Sequence, residues 1–228
     1  MTSYLTRTAT DSELDSVIAL CLEAFIDEAV VAWVVPDSAE RARYLRELFT
    51  QSLDAAVNAG ALTLAVDDDG VPVAAAVWMP RTAESDRQDA PGTHPQHRSD
   101  HQDQLDDQRA DRHGRHAERR ATATESTDLA ALRVAAVEEA TRARQPIAPH
   151  LHLSAMATLP SHRGQGAGAA LLAACLADAR QLSLPVYLEA STRDNRRLYE
   201  RSGFTDLGEP ITLPDGGPAL QPMWHPAA

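Results

Sequence analysis

The run from His150 to Leu182 constrains this chain more than any other stretch. Leu151 to Thr158 is apolar and alternating, and reads as a strand. A short turn follows, and then Arg163-Gly164-Gln165-Gly166-Ala167-Gly168, a Gly-rich loop opening a helix from Ala169 to Leu182. With a second strand at Pro185 to Ala190, this places the chain in the α/β class. Glycines let a backbone come close to a ligand. The free N–H groups of the first helical turn point at that ligand, with the helix dipole behind them. Such a loop suits a pyrophosphate, and Arg163 can add a cationic contact. On the loop alone, close packing of the helix start is the competing reading.

Composition removes several alternatives. All 21 basic side chains are arginine. A Walker loop needs a lysine, and so does Schiff-base chemistry. A dinucleotide fingerprint opens the first βαβ unit, with an acid about 20 residues further on; this motif lies late in the chain. The formal charge of −12 and pI of about 5.1 oppose general nucleic-acid binding and mildly attract cations. With 43% apolar but only 4% aromatic residues, the core must come from Ala, Leu and Val. Cys21 and Cys175 sit in apolar helical patterns and read as buried free thiols. Met1 to Glu13 does not read as a signal peptide, and Gly166 to Ala179 is too short to span a bilayer. The expected compartment is the cytoplasm, with no membrane or nucleic-acid partner.

The remaining pattern supplies the frame. Tyr4 to Ala9 reads as a strand, and Asp11 or Ser12 caps a helix to Ile26. Val30 to Pro36 reads as a short apolar connection holding Trp33. Asp37 with Glu40 starts a helix that runs to Asn58 and ends at Gly60. Leu62 to Val66 and Val71 to Trp78 form a hairpin across Asp67 to Gly70. A helix from Thr127 stops before Pro146. Asp194 or Asn195 caps another, which ends at Gly203. Phe204 to Leu207 and Ala219 to Trp224 close the sheet. Residues 82–124 are almost devoid of apolar side chains, so they read as a disordered insertion within one domain spanning 1–228. Its His94, His97, His101, His113 and His116 read as solvated rather than as metal ligands, and no metal site is expected.

A second motif lies in Tyr187 to Phe204, where Asn195 and Tyr199 share a helical face. Arg163 to Gly168 matches the Arg/Gln-x-x-Gly-x-Gly/Ala signature of GNAT acetyltransferases. Asn195 followed by Leu-Tyr199-Glu-x-x-Gly203-Phe204 resembles their C-terminal motif, in the same order. The resemblance implies a GNAT fold, a mixed, strongly twisted sheet of about seven strands flanked by helices. It implies acetyl-CoA as co-substrate, seated between the strands ending near Thr158 and Ala190. The backbone of Met156, Ala157 and Thr158 would pair with the pantetheine arm. Amides of Arg163, Gly164, Gln165, Gly166, Ala167 and Gly168 would hold the pyrophosphate, and Asn195 would contact the arm. Tyr199 would protonate the leaving thiolate. Transfer also needs a base. Glu189 is the first candidate, the other reading being a carboxylate bound to a neighbouring arginine. His152 is the second.

Within the superfamily the chain most resembles the puromycin N-acetyltransferase-like group. Ala24-Phe25 leading to Trp33, Ala74 to Trp78, and Leu188 to Ser191 carry that likeness. The polar segment is its departure. The acceptor implied is a primary amine of a small molecule, an antibiotic or a metabolite, acetylated by direct transfer in a ternary complex. Phe25, Trp33, Trp78 and His152 are candidates to line its site, in a monomer or homodimer. Two other functions fit the motifs: acetylation of a protein or peptide amine, and a non-catalytic acyl-CoA-binding module.

Overall fold

A computed structural model describes residues 4–82 and 128–227. From residue 83 onward the polar segment, its five histidines included, lies outside the described residues. The chain opens with β1 (Leu5–Thr8), α1 (Leu14–Phe25), α2 (Ala29–Val34) and α3 (Ser38–Asn58). Strands β2 (Leu62–Val66) and β3 (Pro72–Arg81) follow. Residues 128–142 are helical and are labelled α4. Then come β4 (His150–Thr158), α5 (Ala167–Leu182), β5 (Val186–Ala190) and α6 (Arg193–Arg201). Three strands close the chain: β6 (Thr205–Asp206), β7 (Ile211–Thr212) and β8 (Ala219–His225).

Four local readings change. The turn that leads into α1 is capped by Thr10, whose N–H donates to the Glu13 carboxylate at 3.0 Å, and not by Asp11 or Ser12. Val30 to Pro36 is not only a connection: most of it belongs to helix α2. The Glu28 carboxylate caps that helix, accepting the Val30 and Val31 N–H groups at 2.8 and 3.1 Å. Helix α6 is capped by Thr192, whose hydroxyl accepts the Asn195 N–H at 3.1 Å, and not by Asp194 or Asn195. Helix α5 begins two residues earlier than the pattern indicated, at Ala167. The start of α3 follows the sequence: Asp37 accepts the N–H groups of Ala39 and Glu40.

The sheet has eight strands in the order β1-β2-β3-β4-β5-β8-β6, with β7 also paired to β8. Among the described residues only β4 and β5 pair in parallel, and α5 is the crossover that a parallel pair requires. Their ladder covers three residue pairs, Leu151↔Val186 to Leu153↔Leu188, and stops. Beyond it β4 continues to Thr158 on β3, past a bulge opposite Val77 and Trp78. Strand β5 continues to Ala190 on β8. The two middle strands therefore separate, and a gap opens in the centre of the sheet.

Side chains alternate across each strand, so the sheet has two faces. On one, Leu151, Leu153, Leu188 and Met223 pack against Leu171, Leu172 and Cys175 of α5 and Tyr199 of α6. On the other, Leu62, Leu64, Ala75 and Val77 pack against Val17 and Cys21 of α1 and Leu45 and Phe49 of α3. Arg41 is buried at the edge of this second layer. Its guanidinium donates to the carbonyls of Val35, Ile26 and Pro36 at 2.9 to 3.0 Å, tying the exits of α1 and α2 to α3. Both cysteines are free and buried. Burial pushes the Cys21 thiol up to about 12 and raises Cys175 as well, so neither is a ready nucleophile. Among the described residues, no helix is long and apolar enough to cross a membrane.

Candidate active site

The Gly-rich loop is built by backbone geometry. Gly164 and Gly166 have φ of 72° and 103°, the left-handed region that favours glycine. Gly166 is the N-cap of α5, and no side chain caps that helix. Its first intrahelical bond runs from Ala170 N–H to Gly166 C=O, at 2.9 Å. The N–H groups of Ala167, Gly168 and Ala169 thus stand at the helix end without an intrahelical acceptor. A Cβ at Gly164 or Gly166 would meet nothing within 4 Å, so the loop fronts open space. Gly168 is a different case. A Cβ there would lie 3.3 Å from Leu198 and 3.7 Å from Met156, so this glycine serves close packing between β4, α5 and α6.

Met156, Ala157 and Thr158 pair with β3 on one side and have no ladder partner in β5 on the other. Their outward backbone groups border the gap. The Gln165 side chain bonds the Ser161 carbonyl at 2.7 Å and fixes the turn. Arg163 departs from the expected cationic contact with the loop's ligand. Its guanidinium turns to the Thr158 carbonyl and, at 3.0 Å, to the carbonyl of Ala24 in α1.

The remaining candidates stand on α6 and β5. Asn195 is half-buried, one helical turn from Tyr199. Tyr199 is 5% exposed in the α5-side core, its ring 5.9 Å from that of Phe204. Burial raises the phenol and keeps it protonated. On the opposite face, His152 Nε2 lies 2.9 Å from Glu189 Oε2. The two candidates for the base are therefore one hydrogen-bonded pair, and the partner of Glu189 is a histidine rather than an arginine. Both side chains are close to nine-tenths buried. Glu189 Oε1 and His152 Nδ1 have no hydrogen-bond partner among the described residues. The Tyr187 ring lies 5.5 Å from that of His152. Burial, then the negative charge of Glu189, raises the Tyr187 phenol.

The residues expected to line an acceptor site do not gather in one place. Phe25 borders an apolar cavity of about 320 Å³ between α1, α3 and the sheet. Trp78 is buried on the α5 side, away from His152 and Glu189. Trp33 packs against the turn before β8, where a Cβ on Gly217 would come within 2.9 Å of its ring. Arg133 of α4 covers Trp33 at 4.9 Å from the ring centre and also donates to its carbonyl. Leu45, Leu48 and Ser52 of α3 line the cavity and were not singled out from the sequence. The α3 pattern marks an apolar face but not which part of it fronts empty space.

The sequence model of the Acetyltransferase (GNAT) family matches residues 22–204. The chain belongs to that family. It is an acetyl-CoA-dependent acetyltransferase, and its open, mixed sheet flanked by helices is the GNAT fold. Solved structures with a similar fold include the histone acetyltransferase HPA2 and related acetyltransferase from Corynebacterium glutamicum, at TM-score 0.65 and 23% identity. That match covers 100% of this chain and 98% of the other. The phosphinothricin acetyltransferase of Sinorhizobium meliloti, in complex with AcCoA, matches at TM-score 0.57 and 15% identity, covering 100% and 90%. A polyamine N-acetyltransferase of Drosophila melanogaster, which catalyses the formation of N-acetylagmatine, matches at TM-score 0.56 and 17% identity, covering 98% and 100%. The residues present in this acetyltransferase fit the co-substrate: an unpaired stretch of β4, an open glycine loop and an uncapped helix start follow one another along the chain. When bound, acetyl-CoA supplies the acetyl group as an activated thioester.

Proposed function

We propose that this acetyltransferase acetylates the primary amine of a small molecule by direct transfer in a ternary complex. One observation carries the reading: the buried His152–Glu189 pair lies on one face of the split sheet and Tyr199 packs on the other. An ammonium ion is no nucleophile, so the acceptor must lose a proton first. Glu189, oriented by His152, takes that proton, directly or through a water. The attacking nitrogen arrives from the α1/α3 side. The thiolate leaves towards the α5 side, where the Tyr199 phenol protonates it. The amides of Arg163 to Gly168 hold the pyrophosphate, the backbone of Met156 to Thr158 pairs with the pantetheine arm, and Asn195 contacts that arm.

The Sinorhizobium and Drosophila proteins support a small acceptor, since the former is named for phosphinothricin and the latter forms N-acetylagmatine. The puromycin-type likeness supports an antibiotic or related metabolite, and hence a resistance or biosynthetic role. Two buried free thiols suit action in the cytoplasm. The test is mass-spectrometric product detection with acetyl-CoA and a panel of amines that includes puromycin, amino acids, polyamines, aminoglycosides and short peptides. An acetylated small amine is expected; acetylation of peptides alone would move the acceptor to protein. Tyr199→Phe should lower kcat roughly 100-fold with little change in cofactor affinity. Unaltered turnover would remove Tyr199 as the acid.

A further inference from the structure

The cavity beside α1 is set apart from ordinary core packing by its size and its company. At about 320 Å³ it sits at the small end of ligand pockets, which run roughly 300–1,000 Å³. Its walls come from Cys21 and Phe25 of α1 and from Leu45, Leu48 and Phe49 of α3. Ser154 and Ala155 line it at the bulge of β4, where Ser154 is exposed and Ala155 half-buried. None of its lining residues carries a charge. It opens towards solvent near Leu48, which is 43% exposed, and Ser52, which is exposed. Two residues back along β4 from Ser154 stands His152, hydrogen-bonded to the buried Glu189 carboxylate. Neither His152 nor Glu189 lines the cavity; Ser154 links the two along β4, and an apolar chamber joined in this way to a buried carboxylate matches a molecule with one cationic end and an uncharged body.

We infer that the acceptor is an amphiphilic amine, with its aryl or alkyl body in this cavity and its single ammonium group directed to Glu189 and His152. The inference rests on the transfer reading above and specifies its substrate class. A second charge in the body of the acceptor would be buried against apolar walls without a partner, so diamines and guanidino amines are disfavoured. Each additional buried methylene should improve kcat/KM by about fourfold until the cavity is full.

The experiment compares butylamine, hexylamine and 2-phenylethylamine with agmatine and 1,4-diaminobutane, for the full-length protein and for Ser52→Trp. Ser52 is exposed at the mouth, so the larger ring narrows the entrance without entering the packed core. The expected result is at least a tenfold preference, in kcat/KM, for the apolar amines. Ser52→Trp should raise KM for 2-phenylethylamine tenfold or more and leave KM for acetyl-CoA unchanged. Equal or better turnover of the charged amines, or a flat methylene series, overturns the assignment. So does a variant effect confined to acyl-CoAs longer than acetyl, which would make the cavity an acyl-chain site. If no amine is acetylated, calorimetric binding of 2-phenylethylamine to the CoA complex separates the two claims. Binding that is lost in Ser52→Trp keeps the cavity assignment while the transfer reading fails, and absence of binding overturns the cavity assignment itself.

Discussion

Glu189→Gln should lower kcat for acetyl transfer by about 10²–10⁴-fold while acetyl-CoA affinity stays within a factor of about two. Glutamine keeps the volume and can still bond His152 across the 2.9 Å contact, so the β4–β5 junction survives. What is lost is the negative charge that takes a proton from the bound ammonium. The pH dependence separates this role from a structural one. As pH rises, a growing share of the acceptor is already neutral in solution and needs no base. The deficit of the variant should therefore shrink towards high pH and widen towards low pH. A deficit constant across pH would mean that Glu189 only supports the fold of β5. His152→Gln should show a smaller loss with the same pH trend if the imidazole acts through Glu189.

Gly166→Glu should weaken acetyl-CoA binding by more than about 100-fold, the equivalent of roughly 3 kcal/mol. Two effects combine. A φ of 103° is strained for any residue with a Cβ, which pulls the loop away from its present shape. A carboxylate at the N-cap of α5 also occupies the amides that a pyrophosphate needs, and repels its charge. Nothing lies within 4 Å of the new Cβ, so the loss cannot be assigned to a clash within the protein. Gly166→Ala carries the strain without the charge and serves as the control, with a loss of no more than about tenfold. Titration of acetyl-CoA by calorimetry reads both. Equal affinities for wild type and Gly166→Glu would remove this loop as the pyrophosphate site.

Much of this arrangement was legible in the sequence because it is local. Asp37 and its two N–H partners, the Asp67 to Gly70 hairpin and the strand–loop–helix unit around Gly166 are each set within a few residues. Helix α2 escaped because six residues dominated by valine do not display helical periodicity, and β-branched runs look extended. Strand β7 is two residues long and exists only through its pairing with β8. Thr192, Asp194 and Asn195 are all good caps, and the sequence cannot choose among three within four positions. The His152–Glu189 contact joins residues 37 apart through the register of a parallel ladder, which no local pattern encodes. The reach of Arg163 to Ala24 spans 139 positions and is equally invisible.

The abrupt end of the β4–β5 ladder has a consequence for the lifetime of the protein as well as for its chemistry. Three residue pairs hold the two halves of the sheet together, and past them the facing amides and carbonyls lack the strand that would complete them. Without a ligand that seam must be hydrated, an internal edge in the middle of a sheet whose strands are otherwise joined. In the seating proposed above, the pantetheine arm, which carries amides of its own, would finish the seam as a borrowed strand. Part of the affinity for the donor is then folding free energy. At 100 times its dissociation constant a ligand adds about 2.7 kcal/mol to stability by mass action alone. The supply of the thioester would thus govern how long each copy of the enzyme endures, and its scarcity would shorten the life of the catalyst along with its turnover.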